Sequence, residues 1–304
     1  MANPKRIKIS VIGGGVAGYS AAIALARSHI EVNLFTGFSP GGQIVLAPQL
    51  KNYPGIEVTG TELISNMYHQ TIPWNVKVWE NIAIEKFCFD NNLTLVDSNG
   101  KEFFNDAVIV ATGKRFNKLN LAEEEKFFGR GLSYCVLCDG PLFKNEIVGV
   151  VGGGDSAAQG ALYLSDFVKK IHIFVRANKM RAGEDYQKLL RKNKKIEVHY
   201  NVAVGKLLGE KMLSEVVLNN GEVVAMTGIF IAIGSDPQTE LVKDFIKLDS
   251  KGFIITDNFG RTNLEYVYAA GDVVAGKYKQ AVIAAGDGYA AALTALQDLK
   301  KKIN

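Results

Sequence analysis

Residues 7–28 read IKISVIGGGVAGYSAAIALARS. The first six alternate and then close on Val11 and Ile12, as a strand does when a parallel sheet buries both of its faces. A turn built from Gly13, Gly14, Gly15 and Gly18 follows. The alanine-rich residues 19–28 read as a helix and EVNLF, residues 31–35, as the next strand. Strand, glycine turn, helix, strand is the opening of a dinucleotide-binding unit. In G-x-G-x-x-G the first glycine makes the tight turn, the second admits a pyrophosphate to the backbone, and the third lets helix pack on strand. The phosphate then meets free N–H groups and the positive end of the helix dipole. The acidic residue that ordinarily ends the second strand and holds a ribose hydroxyl is missing; Phe35-Thr36-Gly37 stands there.

The same grammar returns 139 positions later. Residues 146–151 read as a strand. Gly152, Gly154, Asp155, Ser156 and Ala157 supply a G-x-G-x-x-A turn, residues 156–167 a helix, and KIHIFV at 170–175 a strand. Between the repeats, residues 76–89 and 91–105 look β-rich, with a turn at Asn99-Gly100. Residues 108–110 form a strand running into Ala111-Thr112-Gly113, residues 228–233 one running into Gly234, and residues 266–272 a strand and turn ending in Gly271-Asp272. A helix follows from about residue 280 to 300. The expected class is α/β, with two Rossmann-like dinucleotide-binding domains. The first is discontinuous, residues 1–114 and 241–304, and the second, residues 115–240, is inserted into it. Two nucleotide turns in one chain point to a flavin and a second nucleotide that exchanges electrons with it.

Composition narrows the classes further. Of 304 residues 47% are apolar and 22% charged, which is enough to build cores and excludes a disordered chain. A net charge of +4, dispersed along the sequence, is too mild for a nucleic-acid platform. No apolar run approaches the roughly 18 residues of a membrane span, and the first residues lead into a strand pattern without a signal-peptide core. Three cysteines do not make a disulfide scaffold, so a cytoplasmic protein is expected.

Two of those cysteines form Cys135-Val136-Leu137-Cys138. Such a pair is either redox-active or half a zinc site. Zinc needs two more ligands, and His29, His69, His172 and His199 show no ligand spacing, so no metal centre is expected. Cys88 lies in an alternating strand pattern and reads as a small buried hydrophobe. Asp139 directly follows Cys138. Thiol–disulfide exchange needs a proton for the departing thiolate, and with no histidine nearby in sequence Asp139 is the candidate acid. It also opens Asp139-Gly140-Pro141, a turn tripeptide, and can serve both roles.

Taken together these residues resemble the low-molecular-weight thioredoxin reductases, flavoproteins of the two-dinucleotide-fold disulfide reductase class. The resemblance runs over essentially the whole chain. It rests on the turn at 13–18, Thr36-Gly37 with Gly41-Gly42-Gln43, Asn52-Tyr53-Pro54-Gly55, Ala111-Thr112-Gly113, the run 135–140, the turn at 152–157, Ala269-Ala270-Gly271-Asp272-Val273 and Gln280-Ala281. It implies FAD bound noncovalently by the first domain, near Thr36, Gly37, Gly42, Gln43, Asn52, Thr112, Gly113, Gly271, Asp272, Lys279, Gln280 and Ala281. It implies a homodimer, and a thioredoxin-like protein as disulfide substrate. It also implies that Cys138 faces the flavin and Cys135 attacks the partner.

The departures from the family pattern concern the electron donor. Members that use NADPH carry His-Arg-Arg-x-x-x-Arg after the second nucleotide strand to grip the 2′-phosphate. Here Val175-Arg176-Ala177-Asn178-Lys179-Met180-Arg181 keeps only Arg176 and Arg181. Gln159 and Gly160 replace two glutamates of the family's second turn. Each lost charge-assisted contact is worth about 1.5–3 kcal/mol, enough to weaken NADPH tenfold or more. Some relatives with eroded motifs draw electrons from reduced ferredoxin. The expected function is an FAD-dependent thioredoxin-disulfide reductase fed by NAD(P)H or ferredoxin. The alternative is a flavin-dependent thiol oxidase with oxygen as acceptor.

Overall fold

The computed structural model describes residues 7–89, 93–276 and 278–303. They form two compact units, Met1–Arg115 with Asp236–Asn304, and Phe116–Ser235.

The first unit opens with β1 (Lys8–Ile12), α1 (Val16–Ala26) and β2 (Glu31–Phe35), then α2 (Gly60–Thr71) and β3 (Lys77–Trp79). β4 (Ile84–Phe89), β5 (Leu93–Asp97) and β6 (Glu102–Asn105) make an antiparallel meander. Its second turn is anchored by Asp97, whose Oδ1 accepts the N–H groups of Asn99 and Lys101 at 2.8 and 3.0 Å, while Gly100 takes φ +80°. β7 (Ala107–Val110) and β8 (Lys114–Phe116) follow. α2 starts on a capping box: Thr59 Oγ1 accepts the Glu62 N–H at 3.1 Å and Glu62 Oε2 accepts the Thr59 N–H at 2.7 Å.

The second unit holds α3 (Glu124–Phe127), β9 (Leu132–Ser133), α4 (Val136–Asp139), β10 (Ile147–Val151), α5 (Asp155–Ser165), β11 (Lys170–Val175), α6 (Glu184–Lys192) and β12 (Ile196–Tyr200). β13 (Val204–Leu208), β14 (Glu215–Leu218) and β15 (Val223–Ala225) form a small antiparallel sheet, and β16 (Gly228–Ile231) rejoins the parallel one. Its order is β12-β11-β10-β16-β9. Ile171, Ile173 and Val175 point into the core shared with α5 and α6, whereas Phe174 joins the core under β13–β15. Burial on both faces is why the parallel strands read as near-continuous apolar runs.

The chain returns through β17 (Ser235–Pro237), β18 (Val267–Ala269) and α7 (Ala281–Ile303). β18 completes a parallel sheet of order β18-β7-β1-β2-β3. Residues from Asp236 onward belong to the first unit, five positions before the expected crossing. The reason is local: Thr112 Oγ1 donates to the Gln238 carbonyl at 2.6 Å and the Gln238 N–H to the Gly113 carbonyl at 3.0 Å.

In this sheet Ala107 and Ile109 face α1, α2 and α7, while Val108 and Val110 face the meander. α1 is buried on nearly every side, which its alanines permit. α7 is long, yet among the described residues no helix is long and apolar enough to cross a membrane. It lies against α1 at Gly288, where a Cβ would stand 2.1 Å from the Ala17 carbonyl oxygen. At Gly286, on the same helix, a Cβ meets nothing within 4 Å. Gly288→Ala is therefore expected to cost about 1–3 kcal/mol of stability. Gly286→Ala should add about 0.5–1 kcal/mol through helix propensity. Denaturant midpoints of the two variants, compared side by side, check both signs.

Candidate active site

The first glycine turn divides its glycines by what surrounds them. Gly13 takes φ +120°, and a Cβ there would lie 2.1 Å from the Ala111 carbonyl oxygen. At Gly18 a Cβ would lie 1.8 Å from the Gly13 carbonyl oxygen, and at Gly14 it would strike Thr36. Gly15 differs: its nearest neighbour would be the Gly41 carbonyl oxygen, 3.9 Å away. Gly15 is also the N-cap of α1 and offers no side-chain cap. An open Cβ position beside an uncapped helix start is the cradle a diphosphate needs.

The loop after β2 closes on this turn, with the Gly41 N–H donating to the Gly14 carbonyl at 3.0 Å and Gly42 at φ +62°. Thr36 serves the backbone: its buried hydroxyl accepts the Asn81 N–H at 3.1 Å. Gly37 and Gly113 have positive φ with nothing near a Cβ. Gln43 donates to the Lys114 carbonyl, and Asn52 Nδ2 donates to Gln280 Oε1 at 3.0 Å, just before Ala281 opens α7.

A charged group surrounds Asp272, in the short turn begun by Gly271 at φ +77°. Lys114 Nζ stands 4.0 Å from Asp272 Oδ2, and Lys279 Nζ donates to the Val274 carbonyl. Burial pushes the Asp272 carboxyl above the usual range, opposed by Lys114 and Lys279, and burial likewise lowers both lysines.

The turn in the second unit repeats the pattern. Gly152 takes φ +144°, with a Cβ 2.3 Å from the Ala232 carbonyl oxygen and 3.1 Å from Ala157 Cβ. At Gly154, the N-cap of α5, nothing lies within 4 Å. Asp155 Oδ1 accepts the Gly183 N–H at 2.8 Å, and Ser156 is exposed. The Arg181 N–H donates to the Gly153 carbonyl at 2.6 Å, so the loop bearing Arg181 is tied to the turn; Arg176 and Arg181 are both exposed. Gln159 Nε2 donates to the Tyr186 hydroxyl at 2.6 Å. Gly160 is buried, and a Cβ there would lie 3.0 Å from Val136 Cγ2. The two positions that depart from the family pattern thus hold α6 and α4 against α5.

Cys135 and Cys138 form a disulfide, with Cα atoms 5.3 Å apart. Cys135 is the N-cap of α4, and the Cys138 N–H donates to its Sγ at 3.2 Å. Asp139 ends that turn, half-buried, with its N–H on the Cys135 carbonyl at 3.1 Å. Sequence reasoning missed Ser133. Its hydroxyl donates to Asp139 Oδ2 at 2.5 Å and accepts the Cys135 N–H at 3.0 Å. An ST-type serine two residues before a cysteine is the only trace of this in the sequence. Burial raises the Asp139 carboxyl above its ordinary value, and the Ser133 hydrogen bond opposes the rise.

Two expectations need correction. Cys88 is exposed, because the alternation of β4 turns Phe87 inward and Cys88 outward. The histidines are not all scattered: parallel pairing of β11 with β12 brings His172 and His199 within 2.9 Å, between ring nitrogens Nδ1 and Nε2.

Residues 7–288 match the family model described as pyridine nucleotide-disulphide oxidoreductase. A thioredoxin reductase of Streptomyces clavuligerus is 38% identical, over 94% of this chain and 92% of its own. One from Rickettsia prowazekii is 36% identical, over 97% and 98%. An NADPH-dependent thioredoxin reductase 3 of Arabidopsis thaliana is 35% identical, but this chain spans only 57% of its length. Among solved structures, the thioredoxin reductase of Streptococcus pyogenes superposes with a TM-score of 0.91 at 34% identity, covering 96% of this chain and 98% of that one. The chain belongs to the pyridine nucleotide-disulphide oxidoreductase family and is a disulfide oxidoreductase.

Removing the Ser133 hydroxyl removes the hydrogen bond that favours the Asp139 carboxylate. Ser133→Ala should therefore move the Asp139 titration to higher pH than in the parent protein. Carboxyl carbon NMR or infrared difference titration of the oxidised protein reads that shift directly.

Proposed function

We propose that this chain reduces the disulfide of a small thioredoxin-like protein, with FAD in the first unit and NADPH as electron donor at the second. The observation that carries the reading is the Cys135–Cys138 disulfide beside the half-buried Asp139, in a chain with two open glycine turns. The names of the relatives supply the substrate class.

The residues present fit a flavin dinucleotide. Gly15, with its empty Cβ position, and the uncapped start of α1 would take the diphosphate. Gly42, Gln43, Asn52, Asp272, Lys279, Gln280 and Ala281 would hold the rest, with Thr36, Gly37, Thr112, Gly113 and Gly271 shaping the backbone around it. When bound, FAD supplies reversible two-electron chemistry between the nucleotide donor and the disulfide. Gly154, Arg176 and Arg181 would hold the donor's phosphates.

The chain's own part begins at sulfur. Two electrons break the Cys135–Cys138 bond and leave two sulfurs that need one proton between them at neutral pH. Asp139, whose carboxyl is raised by burial, would relay that proton through its carboxyl oxygen, and the Ser133 hydroxyl fixes the carboxyl's orientation. The Cys138 N–H aimed at Cys135 Sγ favours negative charge on that sulfur, which supports Cys135 as the attacking thiolate. Its attack on the partner's disulfide forms a mixed disulfide and frees one partner thiolate, which Asp139 protonates. Cys138 then attacks Cys135 Sγ and displaces the partner's remaining sulfur as a thiolate, which takes its proton from solvent; the intramolecular disulfide is restored and the reduced partner released.

Reduced ferredoxin is the second reading of the donor, favoured by Gln159 and Gly160, which put no acid at the turn and engage Tyr186 and Val136 instead. The chain is further proposed to act as a homodimer in the cytoplasm. Exposed Val282, Ile283, Tyr289 and Leu293 on α7 support a partner surface, and the scarcity of cysteines supports a reducing compartment.

Purified protein should be yellow and release FAD on denaturation. Cys135→Ser and Cys138→Ser should each abolish reduction of a thioredoxin disulfide while keeping the flavin, and wild-type turnover in either would end the dithiol reading. Asp139→Asn should slow the disulfide step about a hundredfold or more while leaving donor-driven flavin bleaching intact. For the donor, oxidised protein is mixed anaerobically with NADPH, NADH or reduced ferredoxin. Rapid bleaching by micromolar NADPH is expected, and bleaching by ferredoxin alone would replace it. Oxygen consumption that outpaces thioredoxin reduction would favour a thiol oxidase.

A further inference from the structure

We propose that His172, Glu197 and His199 form a binding site for a divalent transition metal, zinc foremost, on the face of the second unit's sheet opposite α5. The site is created by strand register. β11 and β12 run parallel with His172 opposite Glu197 and Phe174 opposite His199. Side chains two apart share a face, so all three project on the side that Phe174 shares with β13–β15, away from the core of Ile171, Ile173 and Val175.

The donor atoms converge. His172 Nδ1 and His199 Nε2 are 2.9 Å apart. Glu197 Oε2 lies 3.7 Å from His172 Nδ1, and Oε1 lies 3.8 Å from His199 Nε2. A tetrahedral zinc bound at about 2.0–2.1 Å needs ligand atoms about 3.3 Å apart. The ring nitrogens stand slightly inside that value and Glu197 slightly outside it, facing the two rings through different oxygens, so seating the ion takes a small parting of the imidazoles and a turn of the Glu197 carboxylate that brings one oxygen to both. Without metal, a single proton shared between the two imidazoles satisfies the pair.

The donor set decides which ion. Two imidazole nitrogens and one carboxylate suit zinc, nickel or copper, whereas magnesium and calcium ask for oxygen alone. The surroundings are those of a supported site. The two imidazoles keep only 9% and 16% of their side-chain surface, and Glu197 keeps 50%. The Phe174 ring stacks on His172 at 6.3 Å and packs against His199 at 5.4 Å, which restrains both ligands. Lys170 Nζ holds Glu197 Oε2 at 2.8 Å, leaving Oε1 turned to His199, an outer-shell contact of the kind that orients metal-binding carboxylates. Glu222, from the β14–β15 turn, adds a negative charge near His172 and offsets Lys170. Three protein ligands, one of them the half-exposed Glu197 carboxylate, leave the fourth position to water or to another molecule's ligand.

The test uses tag-free, full-length, flavin-loaded protein with Cys135 and Cys138 kept oxidised and Cys88→Ser introduced, so that no thiol competes. Zinc is titrated against a chromophoric chelator. One zinc per chain is expected, with affinity at least tenfold lower in His199→Gln and in Glu197→Gln. Both substitutions lie on the edge strand, and each variant's thermal midpoint confirms its fold. Thiol-disulfide turnover should persist in both, since neither residue belongs to the reaction described above. Absence of a zinc equivalent in the parent protein, or binding unchanged by both substitutions, would overturn the site.

Discussion

The constraint on which this molecule depends is the reversal from strand to helix with no space between the two. In the first unit a Cβ at Gly18 would sit 1.8 Å from the Gly13 carbonyl oxygen, and one at Gly13 would sit 2.1 Å from that of Ala111. Any side chain at either position separates α1 from the sheet. The second unit meets the same demand at Gly152 but admits a methyl at Ala157, 3.1 Å from where a Gly152 Cβ would stand. Close approach has a chemical consequence. The helix begins directly at the carboxyl end of a central strand, so its first N–H groups emerge uncapped beside Gly15 and Gly154, the glycines of the two turns that have free space around them. Packing requires some glycines of each turn and a ligand would use the others.

Departures from a family pattern look different once packing is known. Gly160, where the family resemblance leads one to expect an acid, would place a Cβ 3.0 Å from Val136, and Val136 belongs to the helical turn that separates the two cysteines. A long side chain there would push α4 off α5. The loss of charge on the nucleotide turn is thus coupled to where the cysteine pair sits. Gln159 makes the matching substitution toward α6 through Tyr186. Of the two residues that weaken the case for a charged nucleotide clamp, Gly160 lets the redox turn pack against α5 and Gln159 ties α6 to it.

Much of this was legible from local pattern. β2 and β11 fall on the residues read as strands, both glycine turns stand where the repeat put them, and α7 runs one residue later at its start and three later at its end than expected. What the sequence hid falls into two kinds. Some local signals went unread: Thr59 and Glu62 spell a capping box, and the apolar period of residues 184–192 marks α6. Other features were not local at all. The crossing at Asp236 follows from hydrogen bonds between Gln238 and residues 112–113. Cys88 could be placed inward or outward by a one-residue choice of register, and the strand chose Phe87 for the core.

Register also explains why the histidine pair escaped notice. His172 and His199 are 27 positions apart, with a helix between them, and no fixed spacing links residues on adjacent parallel strands. Only the length of the crossover sets which residues meet. Because β12 is the edge of its sheet, one side of its pairing is free, and its polar residues are tolerated where an inner strand would bury them. On β11, by contrast, His172 is nearly buried, and burial holds its pKa down, against the pull of Glu197 and Glu222. A neutral imidazole on an inner strand needs a partner for its ring nitrogen. The edge strand supplies His199 for that need, and the same convergence of lone pairs is what makes the face chemically distinctive.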